Sequence, residues 1–411
     1  MLFRSDPLVP LSPTTSTLSV AVTSGSANGV ATATYGIDTN NDNTGSGASG
    51  EINQTVYNFT APAVNSLQNG TFGIPNATGL DPANAQSDNY DFTNKSSAVP
   101  AGTAPGAQID PAVVGFSNTV KNTGNAAADV SFLPELLTTP GTAALPVGTK
   151  VRIYTSGGSA QSATYTVTAT GLAFTTGSTG ITATNPLKIA GLGTGVSAEY
   201  QVEIDLPAGT DLSTTTGKGF PVVINAFTGG IVAVTGGDVA VTAPTASNKT
   251  IDRVYTGFVK LAKETQILQG TGPSVAAADS TFSATPKNPA PGNIIVYRIT
   301  FTNISEKPVG TGNSALNAAN LAITEDGTTL PNTWAKNNTS GVITTSNIFQ
   351  SAVNVGATGT IEYYNGANGT TNASDASGTT VTTDVTKYIN RLNTVIAPGD
   401  TGSFSFKRAL N

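Results

Sequence analysis

This chain of 411 residues contains no cysteine and no histidine. The first absence removes disulfides, zinc–thiolate sites and thiol nucleophiles; the second removes the commonest general base and metal ligand. Ser-His-Asp, Cys-His and His-based metal chemistry are therefore excluded, and only carboxylate or lysine catalysis stays open. Charge is scarce too: 11% of residues are charged and the net charge is −6, less than half the charged share of an ordinary soluble protein. The 19 Lys and Arg are scattered, so no nucleic-acid-binding patch or polybasic membrane anchor is formed. No apolar run approaches the roughly 18 residues of a membrane span. The opening MLFRSDPLVPLSPTTST lacks the apolar core of a signal peptide, so the sequence reads as a processed chain or a piece of a larger one.

Polarity comes instead from Thr, Ser, Asn and 45 Gly, residues that favour strands and turns and are poor in helix interiors. Short alternating runs bounded by Gly, Pro and Asn recur along the chain, among them KVRIYTS, ATYTVTAT, NIIVYRITFTN and GSFSFKRAL. Strands at this spacing predict an all-β protein of β-sandwich modules. In AEYQVEIDL, Tyr200, Val202 and Ile204 fall on one face, while Glu199, Gln201, Glu203 and Asp205 fall on the other. That is the pattern of a half-buried antiparallel strand. One helix is predicted near the C-terminus, over DVTKYINRL from Asp384 to Leu392, with Asp384 as its N-cap.

The chain also repeats itself. PAVVGFSNTVKNTGN and PAPGNIIVYRITFTNIS align with Asn122 over Asn303, which brings Phe116 onto Tyr297 and Val120 onto Phe301. Further on, Gly195, Tyr200 and Val202 lie over Gly399, Phe404 and Phe406. Each unit opens with a Pro-led strand ending in an Asn turn and closes with a Gly turn before an aromatic-bearing strand. These segments resemble the conserved-repeat, immunoglobulin-like domain found in tandem in bacterial cell-surface, surface-layer and filament proteins. The likeness is carried by residues 118–125, the turn 206–210, residues 291–305 and Pro398-Gly-Asp400. The second unit departs from it at Ile304 and Ser305, where Thr-Gly is expected. The resemblance implies stacked β-sandwiches outside a bacterial cell and brings no catalytic residues with it. Three regions follow: 1–104, an N-terminal arm, a hairpin and a long irregular β region; 105–258, the first immunoglobulin-like repeat; and 259–411, the second.

Candidate sites are few. Asp38, Asn40 and Asp42 stand on alternate residues in a Gly-rich turn that ends at Glu51, as in an oxygen-lined calcium loop. Asn43 replaces the glycine such a loop needs, and Glu51 comes thirteen residues after Asp38, later than the usual bidentate position. A polar hairpin turn explains the same residues. A structural calcium ion is the only cofactor the sequence suggests. Glu203/Asp205 and Glu325/Asp326 are the tightest carboxylate pairs, but the single Trp334 and 7% aromatic content argue against a sugar-binding cleft. Eleven Asn-x-Ser/Thr sequons run from Asn53 to Asn372, roughly what chance gives in a chain of this composition.

The N-terminal LVPLSPTTSTLSVAV is extended and alternating, with Pro7, Pro10 and Pro13 holding it away from helix. Leu18, Val20 and Val22 make it an assembly arm that adds a strand to a neighbour's open sheet edge, in competition with pairing inside its own chain. Together these features predict a non-enzymatic extracellular structural protein. Its partners are copies of itself, in a filament or a surface layer. The alternative is a cell-surface adhesin or stalk fragment that binds a glycan or a host surface.

Overall fold

A computed structural model describes residues 17–24, 27–34, 56–60, 63–77, 79–80, 87–88, 92–137, 144–155, 160–308, 310–328, 332–335, 345–348, 351–364 and 385–411. The protein is all-β, with several sheets and, among the described residues, one short helix, Ser213–Thr216. It divides into a unit of residues 1–65 with 124–126 and a unit of residues 66–123 with 127–411. The first unit holds a three-stranded antiparallel sheet of Thr17–Ser24, Ala27–Thr34 and Val56–Thr60.

In the second unit, alternation is converted directly into burial. Along Ser197–Asp205, Tyr200, Val202 and Ile204 are fully buried while Glu199, Gln201, Glu203 and Asp205 face outward. This strand lies inside a six-stranded sheet whose order is Gly171–Gly177, Ser162–Thr168, Lys150–Thr155, Ser197–Asp205, Val114–Asn122, Leu67–Thr71. Facing it is a five-stranded sheet in the order Lys188–Leu192, Ala128–Leu136, Phe220–Thr228, Ala246–Thr256, Phe92–Ser97. Phe116, Val151, Tyr165 and Val202 of the first sheet meet Phe132, Val222, Ile224 and Val254 of the second in one apolar core. Phe220–Thr228 is buried at every position; Val222, Ile224 and Ala226 join that core, and Val223 packs with Ile251 and Leu137 elsewhere. That explains the nearly unbroken apolar run PVVINAF, since a strand covered on both faces has no side to leave polar.

Two strands that lie within the region 1–104, Leu67–Thr71 and Phe92–Ser97, are edge strands of these two sheets. Leu67–Thr71 is held by a polar group. Asn69 is fully buried, donates from Nδ2 to Ile224 O at 3.0 Å, and accepts the Tyr200 hydroxyl at 2.7 Å. Its backbone N–H donates to Asn248 Oδ1 at 3.0 Å. One amide thus ties the two sheets together, with each bond strengthened by the dry surroundings.

The second repeat is also built on two sheets, with fewer strands. Val259–Leu268, Ile294–Asn303, Thr401–Leu410 and Thr345–Asn347 form one sheet, with Val353–Val355 also paired to Thr401–Leu410. Ala322–Asp326, Lys387–Leu392 and Gly359–Tyr364 form another. Phe301, Trp334, Tyr363, Tyr388, Phe404 and Phe406 fill the core. The helix expected over Asp384–Leu392 is replaced by the strand Lys387–Leu392, paired on both sides. Tyr388, Asn390 and Leu392 are buried and the residues between them are not. A period of two, fixed by neighbouring strands, overrides the helical reading. Asp384 lies outside the described residues.

The internal alignment is reproduced bond for bond. Asn122 N–H donates to Val196 O at 3.1 Å and Gly195 N–H to Asn122 O at 2.8 Å. Asn303 N–H donates to Asp400 O at 3.0 Å and Gly399 N–H to Asn303 O at 2.9 Å. Both glycines are left-handed, at φ 74° and 84°, a conformation that L side chains rarely adopt. The side chains match as well: Asn122 Nδ2 donates to Leu192 O at 2.7 Å and Asn303 Nδ2 to Ile396 O at 2.9 Å. Ser305, which departs from the expected Thr-Gly, donates its N–H and hydroxyl to Asn303 Oδ1 at 3.0 and 2.6 Å. Thr123 N–H bonds Ser66 O as Ile304 N–H bonds Phe258 O, both at 2.9 Å. Leu67–Thr71 is therefore the counterpart of Val259–Leu268. Opposite the small–large pair Ala198↔Val120 stands Gly402↔Phe301. A Cβ at 402 would come within 2.5 Å of the Phe301 ring, so the larger ring requires the glycine.

Candidate functional site

The carboxylate pairs are occupied structurally. Glu203 accepts from Arg152 Nη1 at 3.0 Å and from the Tyr154 hydroxyl at 3.3 Å, and Asp205 lies 3.7 Å from Lys150 Nζ. Arg152 and Lys150 are the cross-strand partners of these two residues, so the pair is a charge ladder on an outward sheet face. Asp326 Oδ1 accepts from Thr328 N–H at 2.9 Å and closes a turn. Glu325 is buried, accepts Trp334 Nε1–H at 3.2 Å and pairs with Lys263. Trp334 itself is buried in the aromatic core. Among the described residues, no group of three or more Asp and Glu is placed to hold a metal ion.

Asp38, Asn40, Asp42 and Glu51 lie outside the described residues. Leu18, Val20 and Val22 fall in the strand Thr17–Ser24, where they pair with Ala33, Ala31 and Gly29 of Ala27–Thr34. The arm therefore uses one edge inside its own chain. Thr17–Ser24 is the outer strand of its sheet, and among the described residues no strand covers its other edge.

The join between the repeats is a site that periodicity did not reveal. Ala246–Thr256 leaves the first repeat, Gly257 turns at φ 80°, and Val259–Leu268 opens the second. Arg253, 2% exposed, pairs through Nη1 with the Glu306 carboxylate. The Tyr255 hydroxyl accepts Glu306 N–H at 2.8 Å, and Asn94 Nδ2 reaches Glu306 O at 3.5 Å. Burial raises the Tyr255 hydroxyl pKa, which keeps it protonated. Three side chains of one repeat thus grip the loop that follows the Asn303 turn of the next. Gly217, Lys218, Gly219, Arg253, Tyr255 and Glu306 line a groove of about 260 Å³ there. Lys218 also borders a second hollow of about 450 Å³, with Pro146, Asp211 and Phe220. An arginine in an alternating strand reads as solvent-facing, and its partner lies 53 residues away; no local signal joins them.

The sequons separate by burial. Asn69, Asn94, Asn248 and Asn303 are all buried, so the folded chain offers no room for a sugar at them. Asn76 is exposed.

No family model matches the sequence, and no curated protein matches it. Among solved structures, the CupB6 tip adhesin from Pseudomonas aeruginosa matches over 85% of this chain and 88% of its own length. The identity is 11% and the TM-score 0.19, a superposition too loose to carry an argument about fold or function.

Proposed function

We propose that this chain is a non-enzymatic structural subunit of an extracellular bacterial assembly, a filament or a surface layer. Its repeats would be immunoglobulin-like domains of the conserved-repeat kind, and copies of the chain its partners. One observation carries this reading: two repeats with the same Asn–Gly turn in the same register, joined through Gly257 and Phe258 and gripped by a buried arginine. Such a join would limit bending between the repeats, and the paired carboxylates are engaged in ladders, turns and core packing. The outer edge of Thr17–Ser24, which no strand covers among the described residues, is the contact proposed for polymerisation, because an edge strand templates pairing with another chain.

A second reading, an adhesin or stalk fragment that binds a glycan or a host surface, is favoured by the two hollows that Lys218 borders, one lined also by Thr210, Asp211 and Phe220 and the other by Arg253, Tyr255 and Glu306.

Deletion of residues 1–23 separates these readings. The truncated chain is expected to stay folded, since the unit beginning at Ser66 contains both cores, and to remain monomeric in sedimentation velocity where the full chain assembles. A truncated chain that polymerises like the full one rules out the arm as the assembling strand.

A further inference from the structure

Lys263, Glu325 and Asn332 meet at the edge of the second repeat's aromatic core. Lys263 Nζ pairs with Glu325 Oε1 and lies 2.9 Å from Asn332 Oδ1. The Glu325 side chain is 5% exposed, and its Oε1 also accepts Trp334 Nε1–H at 3.2 Å. Lys263 Nζ sits 5.2 Å from the Tyr297 ring centroid, and Trp334 packs on Tyr297 and Phe406. The site is dry enough that burial pushes the Tyr297 hydroxyl up to about 12. An amine, a carboxamide and a buried proton carrier are thus held together across 62 and 69 residues of sequence.

We propose that Lys263 and Asn332 join in an intramolecular isopeptide bond, formed by the folded chain itself with Glu325 carrying the protons. Lys263 passes a proton to Glu325 within their hydrogen bond, which leaves a neutral amine and a carboxylic acid. The Nζ lone pair attacks Cγ of Asn332 as Glu325 protonates Oδ1. Glu325 then takes a proton from Nζ and delivers it to Nδ2. The Cγ–Nδ2 bond breaks, the carbonyl re-forms, and ammonia leaves with the remaining proton as ammonium. One Nζ–Cγ bond replaces one Cγ–Nδ2 bond, Glu325 ends as a carboxylate, and no oxidant or other reactant is consumed. Aminolysis of an amide is slow in water, but fixed contact between the reacting groups supplies effective molarities of about 10⁵ M or more. A positioned acid–base group adds roughly 10²-fold or more.

The same three residue types also meet at Lys249, Glu135 and Asn225, in a different arrangement. There Asn225 turns Nδ2 toward Glu135, at 2.7 Å, and the carboxylate is 28% exposed. At Asn332 it is the carbonyl oxygen that faces the amine. The bond would staple the opening strand Val259–Leu268 to the segment after Ala322–Asp326, so that the second repeat could not be peeled apart from its first strand.

Intact mass spectrometry of the purified full chain tests this. The expected mass is lower than the sequence mass by one ammonia molecule. Trypsin should release a branched peptide joining 261–287 to 299–336, with Lys263 uncut. K263R and E325Q should each restore the full mass and the linear peptides. A full-mass native chain overturns the proposal, whether or not the variants fold. So does an ammonia deficit that persists in K263R, which would place the loss in a cyclic imide that an asparagine forms with its own backbone.

Discussion

Asn303→Ala lowers the stability of the second repeat by about 3 kcal/mol, and Asn122→Ala weakens the first repeat by a similar or smaller amount. Asn303 is fully buried; its Nδ2 donates to Leu316 O at 2.7 Å and Ile396 O at 2.9 Å, and its Oδ1 accepts both Ser305 donors. Alanine strands two carbonyls, an N–H and a hydroxyl in a dry turn. Each unpaired group costs about 1–3 kcal/mol before water or local relaxation recovers part of it. Asn303→Asp should be no better, because a carboxylate has no donor for the two carbonyls. Asn122 anchors Leu192 O at 2.7 Å in the corresponding turn. The chain's single tryptophan, Trp334, lies in the second core, so its fluorescence during urea unfolding reports that repeat. The Asn303→Ala transition should move to lower urea, while Asn122→Ala should leave the tryptophan transition near its original midpoint and shift the far-ultraviolet signal of the first repeat. Unchanged midpoints for both variants would show that the shared turn does not hold the repeats.

Arg408→Ala is expected to cost about 4 kcal/mol and to abolish the second repeat's tryptophan transition at moderate denaturant. Arg408 is fully buried in the closing strand. Its Nη1 donates to Val385 O at 2.8 Å, its Nη2 to Thr345 O at 2.7 Å, and its guanidinium lies 5.1 Å from the Trp334 ring centroid. Alanine removes a large volume from the core as well as the donors to the Val385 and Thr345 carbonyls, and the two losses reinforce each other. Arg408→Met keeps most of the volume and should cost less, about 2 kcal/mol. If Arg408→Met were as damaging as Arg408→Ala, the hydrogen bonds would outweigh the packing; if neither mattered, the buried cation would not be part of the core.

Strands whose apolar faces alternate were legible in the sequence. Tyr200, Val202 and Ile204 fall where the alternation put them, and the Asn122–Asn303 alignment is repeated in the hydrogen bonds. Elements held by polar groups were harder to read. LQNGT carries almost no apolar alternation, yet Leu67–Thr71 is a sheet edge because Asn69 finds partners in the facing sheet. KYINRL has helix-compatible residues and a helix-like start; only the neighbours Ala322–Asp326 and Gly359–Tyr364 make it a strand. Arg253 with Glu306, and Lys263 with Glu325 and Asn332, pair across 53 to 69 residues. Such pairs leave no local period, because topology alone brings them together. In the sequence Glu325 stood only as half of a carboxylate pair with Asp326, whereas the fold buries it beside Trp334 and against Lys263.

Negative-stain electron microscopy of the purified full chain, over a range of concentrations, tests assembly most directly. Regular fibres or ordered sheets with one repeating subunit are the expected result. A field of discrete monomers at every concentration would contradict a self-assembling structural role and leave the binding module as the reading to pursue.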